Sequence, residues 1–236
     1  ELVREAADWS RRIDSFLIAR EESILQKLIG VGGAALSESF EVQVKARLGD
    51  DAAPQVEAVL AGDAVTVLRS VHYDQFDTYF QFRDPSQGRI RYRDDQFLNE
   101  KGEVTGSRAR LTLTEPVREA EFGGVLLSRS RWFAPATQSL RFYREYFEPT
   151  AEIEIEKDRH RWQVVFRGVE FYVNLDLLKK PAMDGRWLEI KSRTWSRRDA
   201  EDKAALIQEL LKLFGATPDH TVREDYLELT AGTSGR

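Results

Sequence analysis

The sequence predicts an α+β fold: a closed antiparallel eight-stranded β-barrel, a tunnel, with flanking α-helices. Three observations predict it. Most of the chain after residue 38 reads as short alternating runs, the runs are joined largely by hairpin-length connections, and helical periodicity is confined to the edges of that region.

Taken in order, Leu2, Ala6, Trp9, Ile13, Phe16, Leu17, Ile24 and Leu28 recur at three- and four-residue steps, the spacing of an amphipathic helix that Gly30, Gly32 and Gly33 end. Residues 1–33 therefore read as an N-terminal helical extension and residues 38–230 as the main domain. No strand precedes the glycines and no Lys-Ser/Thr follows them, so they read as a helix end and linker, not a phosphate loop. Strands are expected at Phe40–Leu48, Val65–Tyr73, Asp77–Phe82, Arg89–Asp94, Arg108–Thr114, Val125–Phe133, Ile153–Phe166, Val169–Leu177 and Trp187–Ser192. Asn99–Gly106 reads as a hairpin loop with Gly102 and Gly106 for its turns. Helices are expected at Ala53–Leu60, at Pro135–Phe147, and at Arg197–Phe214, the last opened by a capping box of Ser196 with Asp199 and closed by Gly215.

Composition narrows the chemistry. A chain of 236 residues can bury a core without covalent help. It has no cysteine, which excludes a disulfide framework, a thiolate metal site and a cysteine nucleophile, and leaves the redox compartment open. No apolar run approaches the roughly 18 residues that span a bilayer, and the start does not read as a signal peptide, so no membrane partner and a cytoplasmic location are expected. The net charge of −5 argues against double-stranded nucleic acid as a partner. The chain opens on Glu1 and its one methionine is Met183, so it is expected to be a segment of a longer product.

Residues two apart in a strand share a face, and charged residues recur at that step. Glu41, Gln43 and Lys45 form one row; Arg89, Arg91 and Arg93 another; then come Arg108 with Arg110, Lys157 with Arg159 and Arg161, Asn174 with Asp176, and Glu189 with Lys191. The plain reading is a solvated outer face on each strand. Three alternating arginines repel one another, however, unless an anion or a carboxylate row faces them. Turned inward, the rows would make a cationic lumen with a carboxylate cluster. Guanidinium forks grip phosphate oxygens, and carboxylates with waters and phosphate oxygens complete the shell of Mg2+ or Mn2+.

Other constellations are weak. His72, His160 and His220 stand far apart without ligand spacing, and His160 is out of phase with Lys157 and Arg159, so it should point away from the lumen. Phe142, Tyr143, Tyr146 and Phe147 beside Arg141 and Arg144 could stack bases, but their helical spacing fits a helix packed on the barrel better. There is no Gly-x-Ser-x-Gly elbow and no dinucleotide fingerprint after a strand.

The order of these segments resembles the CYTH superfamily, the triphosphate tunnel metalloenzymes, which includes class IV adenylyl cyclases, thiamine triphosphatases and inorganic triphosphatases. Its opening E-x-E-x-K is similar to Glu41-Val42-Gln43-Val44-Lys45, and its Asp-Thr-Tyr-Phe to Asp77-Thr78-Tyr79-Phe80. Its Leu-Arg-x-Arg strand is similar to Arg89-Ile90-Arg91-Tyr92-Arg93, and its Leu-Thr-x-Lys to Leu111-Thr112-Leu113-Thr114. The Lys/Arg strand matches Lys157, Arg159 and Trp162; the late Leu-Asp matches Leu175-Asp176; the closing Glu-x-Glu matches Glu189-Ile190-Lys191; a C-terminal tyrosine matches Tyr226. The resemblance runs from Phe40 to about Leu229.

It implies metal-dependent hydrolysis of an inorganic or small organic triphosphate. Lys45, Glu41 and Glu189 would carry catalysis. Arg89, Arg91, Arg93, Arg108, Arg110, Lys157, Arg159 and Lys191 would bind phosphates. Glu41, Gln43, Asp176 and Glu189 would hold Mg2+ or Mn2+. Gln43 and Lys191 stand where the family has glutamates and Thr114 where it has a lysine, so one ion is expected and not two. The losses leave two alternatives open: a non-catalytic module binding polyphosphate, nucleotides or RNA 5′ ends, and a class IV-type adenylyl cyclase. The partner is a small-molecule triphosphate or nucleotide, and the N-terminal helix is a candidate homodimer contact.

Overall fold

The computed structural model describes residues 40–83, 89–114, 118–129, 132–194 and 196–233. The expected N-terminal helix and its dimer contact lie outside them. The described chain runs β1 (Phe40–Leu48), α1 (Ala52–Ala61), β2 (Thr66–Gln81), β3 (Arg89–Leu98), β4 (Val104–Thr114), β5 (Arg118–Phe122), β6 (Val125–Arg129) and β7 (Trp132–Pro135). It continues with α2 (Leu140–Phe147), β8 (Ala151–Phe166), β9 (Val169–Lys180), β10 (Arg186–Thr194), α3 (Arg197–Leu213), a 3-10 turn Pro218–His220 and α4 (Tyr226–Thr233).

All ladders between these strands are antiparallel, in the order β5-β6-β1-β10-β9-β8-β2-β3-β4-β7. Among the described residues the sheet thus has ten strands, where nine alternating runs and an eight-stranded barrel were expected, and no ladder joins β5 to β7, so it is not closed into a barrel. The count differs for local reasons. Val65–Tyr73 and Asp77–Phe82 are one strand, because the intervening Gln75 is buried on the same face as Tyr73 and Asp77. Val125–Phe133 is two strands, β6 pairing with β1 and β7 with β4. β5 is a short edge strand with too little alternation to be read from sequence.

The hairpin between β8 and β9 shows how local chemistry sets the register. Arg167 and Gly168 both take positive φ, 48° and 78°, the geometry of a two-residue primed turn whose twist matches its strands. That turn pairs Phe166 with Val169 and carries through to Arg159 opposite Asp176, past Arg161 opposite Asn174.

The apolar core lies outside the curl of the sheet. On β1, Val42, Val44, Ala46 and Leu48 are buried, and with Val173, Leu175, Leu188 and Ile190 they pack under α1 and α3 through Val56, Leu60, Ala204, Ile207 and Leu210. Each such fully buried Leu, Ile or Val is worth about 1.5–3 kcal/mol of transfer from water. α3 starts where Ser196 Oγ accepts from Asp199 N at 3.2 Å. The Asp199 carboxylate does not complete a capping box; it accepts from the Thr194 hydroxyl at 2.6 Å and from Lys203 at 2.8 Å. α2 is shorter than expected because its cap is Ser139, and it packs Tyr143 and Phe147 on Tyr92 and Phe80. With the greasy side committed to the helices, the alternate residues of the same strands face the concave side, and these are the charged rows.

Candidate functional site

The concave face encloses a cavity of about 300 Å3 lined from β1, β2, β3, β4, β8, β9, β10 and α4. β1 and β4 are far apart in the ladder order, so the sheet curls enough for Glu41 and Arg110 to border one space. Among the described residues its cationic lining is Lys45, Arg91, Arg93, Arg110, Lys157, Arg159, Arg161, Lys191 and Arg193, against Glu41, Glu189 and Asp225.

Register explains the convergence. Arg91 and Arg93 on β3 face Thr112 and Arg110 on β4 and Tyr79 and Asp77 on β2. Lys157 on β8 faces Gln75, one same-face step from Asp77, and Arg159 faces Asp176 on β9. Lys45 opposes Glu189, and Gln43 opposes Lys191.

Three aspartates make this packing of cations tolerable. Asp77 is 1% exposed and takes a two-point fork from Arg93 at 2.5 and 2.6 Å, with Lys157 at 3.4 Å and Arg91 at 3.9 Å. Burial alone would raise its pKa, but Arg93, Lys157 and Arg91 outweigh it and hold the carboxyl far below the usual range. Asp95, fully buried, accepts from Gln75 at 2.5 Å, Arg108 at 2.8 Å and Arg110 at 3.0 Å. Asp176 takes both arms of the Arg159 fork and the Tyr226 hydroxyl, the latter at 2.6 Å. The described lining itself carries nine cations against three carboxylates, and Asp77, Asp95 and Asp176 behind it offset part of that excess.

The surplus shows in the protonation equilibria. Burial and then Arg159 push Lys157 well below an ordinary lysine, against the pull of Asp77. Burial lowers Arg110 to about 10, offset in part by Asp95. Its Nε is buried with no acceptor among the described residues, a donor that an anion in the cavity would satisfy.

The residues expected from sequence fall into three groups. Arg91, Arg93, Arg110, Lys157, Arg159, Lys191, Lys45, Glu41 and Glu189 line the cavity together. Arg89 stands at its edge, 3.6 Å from Asp225, and Arg108 lines an adjoining space of about 150 Å3 with Tyr73, Phe97, Arg161 and Tyr172. Gln43 shares the face of Glu41 and Lys45 by register. Asp176, expected as a metal ligand, spends its oxygens on Arg159 and Tyr226. Sequence reasoning missed the roles of Asp77 and Asp95. Their signal was available: each sits on the phase of its strand that carries the inward row.

Tyr226 forms part of the floor. It comes from α4, which has no amphipathic period to announce it, and packs with Ile155, Leu178, Trp187 and Leu227. Its ring carries Lys45 Nζ at 4.1 Å and Lys157 Nζ at 4.5 Å from the centroid, cation-π contacts that place both ammonium groups at the cavity base. Burial, then Asp176, raise its hydroxyl pKa well above an ordinary tyrosine, so it stays a donor.

The donor set fits one divalent ion. Glu189 Oε2 accepts from Asn174 at 2.8 Å and Arg159 at 3.1 Å, while Oε1 accepts no hydrogen bond among the described residues. Glu41 lies 3.6 Å from Lys191 Nζ. Two carboxylates with waters and phosphate oxygens suit Mg2+ or Mn2+. A second ion would compete with the Lys191 ammonium.

No helix of the described residues is long and apolar enough to cross a membrane. No family model and no curated protein sequence matches the chain. Solved structures do match. The PH1819 protein of Pyrococcus horikoshii OT3 aligns with a TM-score of 0.61 at 19% identity, over 82% of this chain and 99% of that one. A protein of Vibrio parahaemolyticus described as a candidate adenylate cyclase aligns with a TM-score of 0.57 at 15% identity, over 81% and 98%. A conserved hypothetical protein of Pyrococcus furiosus aligns at 0.53 and 17%, over 80% and 99%. At these identities the likeness is one of fold alone: the chain shares the fold of these three structures.

Proposed function

We propose that the chain binds a triphosphate in the concave cavity and hydrolyses it with one divalent ion. One observation carries this reading: inward arginines and lysines converge on one partly open cavity whose buried aspartates are already engaged by built-in cations. The excess of cations over carboxylates in the lining complements the charge of a phosphate chain.

Arg91, Arg93 and Arg110 reach the cavity from one wall and Lys157, Arg159 and Arg161 from the next, so they can grip successive phosphates. Asp77 and Asp176 hold Arg93 and Arg159 in fixed forks, so these cations need no reorganisation when charge develops on the transferred phosphoryl. Glu189, through Oε1, and Glu41 would hold Mg2+ or Mn2+. That ion would neutralise phosphate charge and lower the pKa of an attacking water. Lys45, whose ammonium donates to the Glu224 carbonyl at 2.8 Å, faces Glu189 across the ladder and can stabilise the leaving oxygen. The adjoining space lined by Tyr73, Phe97 and Tyr172 offers apolar surface to an organic group on the far phosphate, which favours an organic over an inorganic triphosphate.

The test is phosphate release from tripolyphosphate, ATP and thiamine triphosphate with Mg2+ or Mn2+. Glu189→Ala should abolish it while the variant still unfolds cooperatively. Lys191, beside Glu41, favours a second reading in which the cavity binds without turnover. Tight binding without metal and without phosphate release would establish that reading instead.

A further inference from the structure

His72 and His160, 88 residues apart in the chain, are direct partners across the β2–β8 ladder, and the next outward pair is Asp74 with Asp158. All four stand on the face opposite the cavity, since Tyr73, Gln75, Lys157 and Arg159 point inward. The imidazoles stack with centroids 3.7 Å apart and planes 27° apart, and Trp162 backs His160 at 5.7 Å. His72 Nε2 is 3.1 Å and His160 Nε2 3.8 Å from one atom, Asp158 Oδ1. The other oxygen, Oδ2, faces Lys179 Nζ at 3.9 Å, which turns Oδ1 toward the rings. These side chains are partly exposed, so an ion can reach them.

We propose that His72, His160 and Asp158 form a surface site for one divalent transition ion of the Zn2+ class, clipping β2 to β8 on the outer face of the sheet. The geometry is that of a ligand triangle. In a tetrahedral site with metal–ligand bonds near 2.0–2.1 Å, neighbouring donor atoms lie about 3.3 Å apart. The two nitrogen–oxygen edges, 3.1 and 3.8 Å, bracket that value, and one ligand atom from each of the three residues lies within 4.8 Å of the others. Two imidazoles and one carboxylate select Zn2+, Ni2+ or Cu2+ over Mg2+, which prefers oxygen. Water would fill the fourth position. The site is independent of the phosphate cavity: its residues lie on the other side of the strands.

The experiment is calorimetric titration of the full chain with Zn2+ in the absence of phosphate compounds, repeated on His72→Ala, His160→Ala and Glu189→Gln. One ion per chain should bind, raise the thermal midpoint, and bind at least about tenfold more weakly in both histidine variants, a change of 1.4 kcal/mol or more, but not in Glu189→Gln. Cu2+ electron paramagnetic resonance on the wild type should show two coordinated nitrogens, a readout that does not depend on any variant folding. Absence of saturable binding, binding that survives both histidine substitutions, or a spectrum without two nitrogens overturns the proposal.

Discussion

Asp77→Asn removes one charge from the most crowded ionic cluster in the protein. The carboxylate is 1% exposed, forks with Arg93 at 2.5 and 2.6 Å, and lies 3.4 Å from Lys157 and 3.9 Å from Arg91. Asparagine keeps the shape and can accept one hydrogen bond, but leaves three cations crowded around a neutral group. Breaking a buried pair in this way costs about 3–5 kcal/mol, and for a domain of this size each kcal/mol moves the midpoint by about 2–4 °C, so the midpoint should fall by roughly 6–20 °C. The second half of the prediction is specific to the cavity. Tripolyphosphate at a hundred times its Kd stabilises the wild type by about 2.7 kcal/mol. It should stabilise the variant by more, because phosphate oxygens replace the missing carboxylate. Thermal unfolding followed by circular dichroism, with and without tripolyphosphate, measures both. A fall under about 2 °C, or a ligand increment no larger than in the wild type, would refute the reasoning.

Three further outcomes follow from the same geometry. Tyr226→Phe deletes the 2.6 Å bond to the buried Asp176 and should cost about 1–3 kcal/mol in urea unfolding, with Arg159 left as the carboxylate's remaining anchor. Asp77, Asp95, Asp176 and Glu189 all have carboxyl pKa values held below ordinary, despite burial, by neighbouring arginines and lysines. Their folded form binds fewer protons than the unfolded chain, so their contribution is complete above the ordinary glutamate value of 4.5 and is lost as pH falls below it; urea midpoints from pH 7 to 3 should show that decline. Lys157 acts in the same direction over a higher pH range: burial and then Arg159 lower its pKa, so its charged form costs stability at neutral pH and that cost is relieved as pH rises through the folded value toward 10.5. A phosphate beside it reverses the shift, so binding at alkaline pH should take up a proton, seen as a buffer-dependent enthalpy in calorimetry.

Much of this arrangement was legible because inward and outward residues obey period two. β1 was bounded correctly at Phe40–Leu48, since Val42, Val44 and Ala46 alternate with Glu41, Gln43 and Lys45. The rows on β3 and β8 were visible for the same reason. What the pattern could not say was which face was which. A solvated row and a buried row look alike in sequence, and it took the helices over Val44 and Ile190 to show that the apolar face is the outer one. The polar interior also hid the continuity of β2, because Gln75 and Asp77 occupy positions where a strand with an apolar inner face would show Val or Ile. The strand count failed at the edges: β5 is five residues long and pairs only with the equally short β6, and β7 is four residues long and pairs back to β4. His72 and His160 show the limit most clearly. Spacing along the chain made them unrelated, and only the β2–β8 register makes them neighbours.

The central claim, that the concave face is a polyphosphate site, is tested most directly by calorimetric titration of tripolyphosphate into the wild type and into Arg91→Ala and Arg161→Ala at two salt concentrations. The account predicts one saturable site per chain, weakened by salt and by each substitution about tenfold or more, for loss of one charge-assisted contact. Absence of saturable binding, or an affinity indifferent to both arginines, would contradict it.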